Sequence, residues 1–437
     1  MAETIKVGMV SLGCPKNQCD AELMLAKIAK AGFKIVNEAG LADVVIINTC
    51  GFIQSAKEEA IEEIMEAISR KNDGINKKII VTGCLAERYQ KQMDEEFPEI
   101  DAVVGIAKND DIVEIINSVM LDRRVITFGD KLQSTLPHYA YLRIADGCSN
   151  KCSYCAIPLI RGKMRSRKME NIIEEAKKFA ENGVKELVIV AQDVTAYGID
   201  LYKKYALPDL LKELCKIDGI KWIRLLYCYP ERMTDELIET IKTEDKVLNY
   251  IDIPIQHCNK EILRNMYRGG DEQSLRELFA KLRREIPGVV LRTTLITGFP
   301  GETEEQFSEL AEFVNDIKFE RLGCFAYSAE EDTPAAEMPD QVDEDERQRR
   351  ADIITGEQEI RMGEYYAGMI GNTYEVVCEG FDRYSDMYFG RSMHFAPEID
   401  GMIYFTSAKD KSPLTIGDFV NVKITDVLEN NLLGERV

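Results

Sequence analysis

Residues 140–158 read AYLRIADGCSNKCSYCAIP. The first half of this stretch is a short apolar run of strand character, and its second half sets Cys148, Cys152 and Cys155 in a C-x3-C-x2-C array where that run ends. Five further runs of the same kind follow: ELVIVAQDV (186–194), WIRLLYCYP (222–230), YIDIPIQH (250–257), VVLRTTLITGFP (289–300) and RLGCFAYS (321–328). Amphipathic stretches such as MENIIEEAKKFAENG (169–183) and EQSLRELFAKLRREIPG (272–288) separate them. Strands that alternate with helices imply a parallel sheet. Six such units predict a partial (β/α)6 barrel over residues 134–364, with its ligand site at the carboxyl ends of the strands.

Upstream, IKVGMVSLGC (5–14), ADVVIINTC (42–50) and KKIIVTGC (77–84) alternate with two helical patterns and predict a parallel-sheet α/β domain over residues 1–125. Asp20 is the expected N-cap of the first helix and Gly32 its left-handed end. Ser55 and Glu58 have the spacing of a capping box for the second. A linker is expected near Gly129 to Pro137. Downstream, an acidic stretch from Ser328 to Asp345 and a charged helical pattern, ERQRRADIITGEQEIRMGEYY (346–366), read as a solvated surface. The short runs TYEVVCEG, MYFGRS, GMIYFT and DFVNVKITDVL then predict a small antiparallel β-barrel over residues 367–437. The whole is an α/β multidomain chain, in keeping with 437 residues at about 150 per domain.

Composition narrows the function. A net charge of -21 opposes the counterion release on which nucleic-acid affinity rests, so strong direct binding of bare RNA or DNA is not expected, and a basic protein partner suits the charge better. Residues 366–437 hold six basic against eleven acidic side chains, so the terminal barrel would repel phosphates. The chain opens MAETIKVGMV without the apolar segment of a secretory leader, and no run approaches the length of a membrane span, so a cytoplasmic setting is expected. In a reducing compartment, twelve cysteines argue for metal or redox chemistry rather than a disulfide framework.

Three thiolates cannot close a four-iron cluster, so Cys148, Cys152 and Cys155 would leave one iron of a 4Fe-4S cube open to a small molecule. Zinc would normally recruit a fourth Cys or His, which this segment lacks, although a distant ligand stays open. Cys14, Cys50 and Cys84 each follow one of the three upstream strand runs. A parallel sheet brings such ends to one edge, the crevice where open α/β sheets bind ligands. A second three-cysteine cluster is the reading for the set, against buried small hydrophobes for any one alone. Cys215, Cys228, Cys258, Cys324 and Cys378 sit in apolar contexts and read as core, and Cys19 reads as core or helix-entry packing.

The loop DGCSNKCSYCAIP resembles the cluster loop of the radical S-adenosylmethionine (SAM) enzymes. Its combination with an upstream three-cysteine domain and a terminal TRAM-like barrel resembles the methylthiotransferases over essentially the whole chain. CAIPLIRGKMRSR, YIDIPIQHC and GRSMHFAPEIDG are more similar to the branch that modifies an aspartate of small-subunit ribosomal protein number twelve than to the branch that modifies tRNA adenosine, which is kept as the alternative. The resemblance implies two 4Fe-4S clusters and SAM as cofactors. One cluster, on Cys148, Cys152 and Cys155, ligates and reductively cleaves SAM, and the resulting 5'-deoxyadenosyl radical removes a hydrogen. The other, on Cys14, Cys50 and Cys84, delivers the sulfur that a second SAM methylates. It also implies an external electron donor, a basic ribosomal small-subunit protein as partner, free or in the ribosome, and no side chain acting as catalytic acid or base. An iron-sulfur electron carrier would need neither a six-unit barrel nor open iron sites.

The supporting residues are weaker signals. Gln192 and Asp193 end the second barrel strand, where they would hold SAM or form a hydrogen-bonded turn. Gln256 and His257 end the fourth and would face the reaction chamber, His257 reading first as a satisfied structural imidazole. Gly298 would let backbone approach the adenine, while Thr303 and Gln306 make a capping box for the next helix. Arg161, Lys163, Arg165, Arg167 and Lys168 form the densest basic segment, either a solvated loop or an attraction for carboxylates.

Overall fold

The computed structural model describes residues 5–51, 53–120, 135–408 and 412–437. The expected linker near Gly129 lies, up to residue 134, outside them.

The first sheet has the order β2-β1-β3-β4-β5, built from β1 (Lys6–Ser11), β2 (Lys34–Val36), β3 (Val44–Thr49), β4 (Lys78–Gly83) and β5 (Ala102–Val103), all parallel. Alternate strand residues face opposite helical layers. Val44, Ile46 and Ile80 pack on α1 (Pro15–Lys30) and α4 (Ile112–Met120), whereas Val45, Ile47, Ile79 and Val81 pack on α2 (Gln54–Asn72) and α3 (Cys84–Glu96). Sequence reading finds the three central strands and misses the edge strands β2 and β5, three and two residues long, too short to show a period. It also places two helix starts too late or on the wrong group. Helix α1 begins at Pro15, whose fixed φ suits the first helical position, with Cys14 as its N-cap, and Asp20 lies in the helix interior. Helix α2 begins at Gln54 with Ile53 as N-cap and no side-chain cap, so Ser55 and Glu58 form no box.

The second sheet has the order β13-β12-β11-β10-β9-β6. Its strands β6 (Tyr139–Arg143), β9 (Glu186–Val190), β10 (Trp222–Leu225), β11 (Val247–Asp252), β12 (Val290–Thr297) and β13 (Arg321–Ala326) are parallel and are the six runs read from the sequence. A two-stranded ribbon of β7 (Ala145–Asp146) and β8 (Arg165–Ser166) and the short α5 (Ile157–Arg161) frame the cysteine loop. Helices α6 (Met169–Glu181), α7 (Leu207–Cys215), α8 (Asp235–Thr243), α9 (Lys260–Asn265), α10 (Glu272–Glu285) and α11 (Glu304–Ile317) follow the strands. Leu187, Ile189, Ile223, Leu225, Ile251 and Leu291 face the helical layer and form the largest core.

The concave face of this open sheet carries Tyr139, Tyr141, Val188, Val190, Trp222 and Tyr250, and two other modules cover it. Cys19 of α1 packs there, buried, its thiol toward Tyr141 O, which accounts for it as packing. From the other side comes a closed barrel of β14 (Thr373–Asp382), β15 (Met387–Arg391), β16 (Ile403–Thr406), β17 (Phe419–Leu428) and β18 (Asn431–Arg436). All its pairs are antiparallel except β16 with β18. The closing strand β18 is absent from the four runs read in the sequence. Phe419 meets Trp222 edge to face at 4.9 Å, and Glu398 accepts from Tyr139 Oη at 2.7 Å and Tyr141 Oη at 3.0 Å. Arg391 donates to Glu186 and Glu379, each at 2.8 Å, while Arg224 Nε reaches the other oxygen of Glu186 at 2.7 Å.

The link between the sheets is not the solvated surface expected of its charge. In α12 (Glu344–Ala367), Arg350, Ala351, Ile354 and Tyr366 are buried, and Arg350 pairs with Glu302 at 2.8 Å. In the acidic stretch before it, Glu330 is buried between Lys57 at 2.7 Å and Arg88 at 2.6 Å of the first module. That stretch is an interdomain tie.

Candidate active site

Cys14, Cys50 and Cys84 stand at the carboxyl ends of β1, β3 and β4, adjacent strands, at the place where the strand order reverses direction. Glycine makes the convergence sterically possible. A Cβ on Gly13 (φ 90°) would lie 2.7 Å from the Cys50 Cβ, and one on Gly83 (φ 97°) would lie 2.3 Å from Thr49 O. Cys14 caps α1 and Cys84 opens α3, so two of the three thiols sit at helix N-termini, which favour thiolate. Asn17 ties the loops together, its Nδ2 donating to Leu12 O at 3.0 Å and Thr49 O at 2.9 Å. Burial pushes Cys84 up to about 11 against the pull of Arg161, with Cys14 and Cys50 adding to the rise. Cys14 is also raised by burial, but Lys16, the Asn17 N–H and Arg161 outweigh it and hold the thiol below its ordinary value.

Cys148, Cys152 and Cys155 line the loop after β6. Cys148 N–H donates to Gly162 O at 3.0 Å, Cys155 N–H to Cys152 O at 3.1 Å, and Ser153 is bonded to Met266 O and Asn265 O on the neighbouring turn. The three thiols are half-buried neighbours. Burial, with the charges of Cys152 and Cys148, raises Cys155 to about 12. Beside them a cleft of about 100 Å³ is walled by Cys148, Asn150, Met164, Asp193, Tyr205 and Arg232. A larger cleft of about 560 Å³ lies on the helical outer face among Asp209, Lys212, Glu213 and Lys216, away from every cysteine of the two trios.

Asp193 is a structural member of the smaller cleft. Its carboxylate accepts from Asn150 Nδ2 at 3.0 Å, from Arg232, and from Thr195 and Ala196, so it holds the cysteine loop against the second strand. Gln192 differs: both polar atoms of its side-chain amide are buried and without a partner. Gln256 takes a left-handed backbone (φ 71°) and bridges to β12 through Thr294 O and the Ile296 N–H. At Gly298 the face a Cβ would occupy is filled by Arg347 of α12, whose Cγ would be 2.2 Å away, so the close approach this glycine permits is that of a helix. His257 is fully buried, its Nδ1 accepting from the Cys258 and Asn259 N–H groups, but its Nε2, with Glu302 3.6 Å away, makes no hydrogen bond, so the expected satisfied imidazole is satisfied on one nitrogen only. Thr303 and Gln306 form the expected capping box.

The basic segment divides. Arg165 and Arg167 pair with Asp146 and Glu175 of the same module. Arg161 is neither solvated nor open to a ligand carboxylate: it is buried between the modules. Its Nη2 donates to Asn17 Oδ1 at 2.8 Å, Asp20 Oδ2 at 3.0 Å and Cys84 Sγ at 3.8 Å, and its Nη1 to Asp146 Oδ1 at 3.2 Å. One guanidinium, six residues beyond Cys155, thus touches the sulfur of the other trio. Sequence reading singles out Arg161 only as one of five cations, because its partners Asn17 and Asp20 lie over 140 positions away. Lys16 and Tyr227, which stand between the trios with the ammonium 4.0 Å from the ring centroid, carry no motif that reading could seize on.

The donor sets fit iron-sulfur cubes better than single ions. Among the described residues no three His, Cys, Asp or Glu side chains converge on one metal position, whereas a cube gives each thiolate its own iron. The orphaned buried amide of Gln192, next in sequence to the cleft residue Asp193, is a polar group that a small cofactor would satisfy.

Three family models match the chain: the uncharacterized protein family UPF0004 over residues 6–105, the radical SAM superfamily over 142–314 and the TRAM domain over 370–437. Proteins named ribosomal protein uS12 methylthiotransferase RimO are similar over nearly the full length. The one from Caldanaerobacter subterraneus subsp. tengcongensis is 48% identical over 98% of this chain and 99% of its own. Those from Clostridium botulinum strain Hall and Desulforamulus reducens are 47% and 48% identical, each pairing covering at least 98% of both chains. Among solved structures, the radical SAM methyltransferase TsrM from Kitasatospora setae, with cobalamin and a [4Fe-4S] cluster bound, superposes with a TM-score of 0.56 at 14% identity over 76% of this chain and 77% of its own. The cobalamin-dependent radical SAM enzyme OxsB gives 0.52 at 11% identity over 81% and 56%. Both are likenesses of fold.

Proposed function

The chain belongs to the RimO family of ribosomal protein uS12 methylthiotransferases, radical SAM enzymes, and on that premise we propose how its own residues divide the work. It places a methylthio group on the β-carbon of an aspartate of uS12. Its relatives give no support to a tRNA substrate. Its cofactors are two 4Fe-4S clusters and SAM, with Cys148, Cys152 and Cys155 as the ligands of the SAM-binding cluster and Cys14, Cys50 and Cys84 as those of the other. We draw the modules as 1–125, 134–364 and 367–437, each wider than the family match inside it, which spans 6–105, 142–314 and 370–437.

Bound in these places, the cofactors supply one-electron reduction, hydrogen abstraction from an unactivated carbon and the sulfur itself, none of which a side chain can perform. The protein positions and encloses. Asp193, Asn150 and Arg232 hold the second trio's loop against the barrel. Gln192, beside Asp193 at the strand end, is assigned to SAM on the strength of its unpartnered buried amide. Tyr229 stacks between Arg232 and Arg268, at 4.6 and 4.1 Å, with its hydroxyl 3.9 Å from Cys152 Sγ. Arg161 clamps the two trios at a fixed separation, and α1 with the terminal barrel covers the concave face and excludes water. The observation that carries this reading is that bridge from the loop of one trio to a sulfur of the other. An external electron donor is required, and the acidic surface suits a basic ribosomal protein in the cytoplasm better than naked nucleic acid. Among the described residues no helix is long and apolar enough to cross a membrane.

Mass spectrometry tests the substrate. The reduced, reconstituted enzyme with SAM is expected to add a methylthio mass to a uS12 peptide carrying the target aspartate and none to tRNA. Modification of tRNA alone would overturn the reading.

A further inference from the structure

A side chain modified by both cofactors must sit between the two trios, and the group already there is Lys16. Two residues after Cys14, in the first turn of α1, its ammonium lies over the Tyr227 ring at 4.0 Å. It feels the charge of Cys14 and Cys84 in one trio, and its own charge reaches Cys155 in the other. The cations around it are taken: Arg161 by Asp20 and Asp146, Arg143 by Asp20, Arg232 by Asp193 and Arg292 by Asp252. Among the described residues no carboxylate pairs with Lys16. A half-buried ammonium without a carboxylate partner is the feature of this chamber that asks for a ligand carboxylate.

The platform under it is a second, independent feature. Tyr227 holds a left-handed backbone at φ 65°, uncommon for a bulky residue. Its N–H donates to Asp252 Oδ2 at 2.9 Å and its carbonyl accepts from the Val194 N–H at 3.2 Å, so the ends of two neighbouring strands hold it there. Such conformations persist where the surroundings over-determine them and gather at ligand sites. Here the result is a ring that supports one side of the ammonium and leaves its N–H donors to a partner. A lysine side chain is ordinarily charged at neutral pH, so the group meets a carboxylate as a cation.

The chemistry of the target supplies the match. The β-carbon of aspartate is bonded directly to its carboxylate carbon, so a cation gripping that carboxylate fixes the reacting carbon one bond away. Resting on the uS12 reading above, we propose that Lys16 takes the carboxylate of the target aspartate in the space between the trios and so selects that side chain over a neutral one.

The test is equilibrium binding, by fluorescence anisotropy, of two synthetic peptides to the full-length enzyme: one spanning the target aspartate of uS12, the other carrying asparagine in its place. The wild type is expected to prefer the aspartate peptide by roughly tenfold or more, Lys16→Gln to bring the two within about twofold, and Lys16→Arg to retain a preference, as befits one charge-assisted hydrogen bond. Thermal melting and iron content of the variants, expected to match the wild type, establish that the fold and clusters survive. Should Lys16→Gln unfold, the Lys16→Met and Lys16→Arg pair is compared in its place. A wild type that binds both peptides alike, or a neutral variant that keeps the aspartate preference, overturns the proposal. The substrate reading stands or falls separately, on mass transfer to uS12.

Discussion

Arg161 and Glu186 are both buried and both charged, and each is worth more as a member of a set than as a pair. Removing one member strands the others: breaking a buried ion pair costs about 3–5 kcal/mol, because a charge is left without compensation. Arg161→Ala, which would leave Asp20 and Asp146 facing a gap with only Arg143 and Arg165 remaining near them, is therefore expected to lower stability by about that amount in chemical denaturation, and Arg161→Lys by less. An unchanged midpoint would show that the guanidinium is not the clamp. The cysteines separate by role. Replacing Cys148, Cys152 and Cys155 with Ala is expected to abolish 5'-deoxyadenosine formation, whereas replacing Cys14, Cys50 and Cys84 should spare it and stop sulfur insertion. Chromatographic assay of deoxyadenosine and mass analysis of the peptide read the two losses independently. The six cysteines were legible because spacing in one case and strand ends in the other place them on a common edge. The residues between the trios were not, since the contacts that define Arg161 and Lys16 join loops far apart in sequence and leave no local pattern.

At the level of elements, period and alternation located every strand of the central sheet, but only one of the three helix N-caps read from the sequence. Thr303 and Gln306 share with Ser55 and Glu58 the same i, i+3 pattern, yet only the first pair caps, because α2 starts at Gln54, two residues earlier than a Ser55 cap would allow, and leaves Ser55 exposed in its first turn. Thr303→Ala is expected to cost about 1 kcal/mol, as a lost N-cap does, and Ser55→Ala to be near neutral. Equilibrium urea unfolding of the two variants checks this, and equal costs would contradict it. Strands β2, β5 and β18 went unread for a related reason: the first two are too short to show alternation, and β18 carries Gly434 and flanking polar residues, its place secured by closing a barrel rather than by its own composition.

On the scale of the whole molecule, the terminal barrel is a wall of the catalytic module, with an acidic outer face on which a basic partner would dock. Burial alone would raise the Glu186 carboxyl, but Arg391 and Arg224 outweigh it and bring it down to about 2. A depressed acid contributes stability that is full above its ordinary value of 4.5 and is lost as the pH falls toward 2. Glu186→Gln should accordingly destabilise the protein near neutral pH and flatten this part of the stability profile below pH 4.5, measured by melting across that range. Deleting residues 371–437 would strip partners from Glu186, Arg224 and Arg321, so loss of uS12 binding on deletion could not be assigned to docking. Reversing exposed charges on the outer strands, as in Asp426→Lys with Glu435→Lys, leaves that wall in place and is expected to weaken uS12 binding in a salt-dependent way. Equal binding by this double variant would refute the docking role. The wall has one more consequence, in time rather than space. Ribosomes make its five strands after the sheet they cover, so until residues 373–436 emerge, a tyrosine-rich sheet surface stays bare in the nascent polypeptide. Premature termination in that stretch should yield sticky, chaperone-bound fragments and not a slower enzyme.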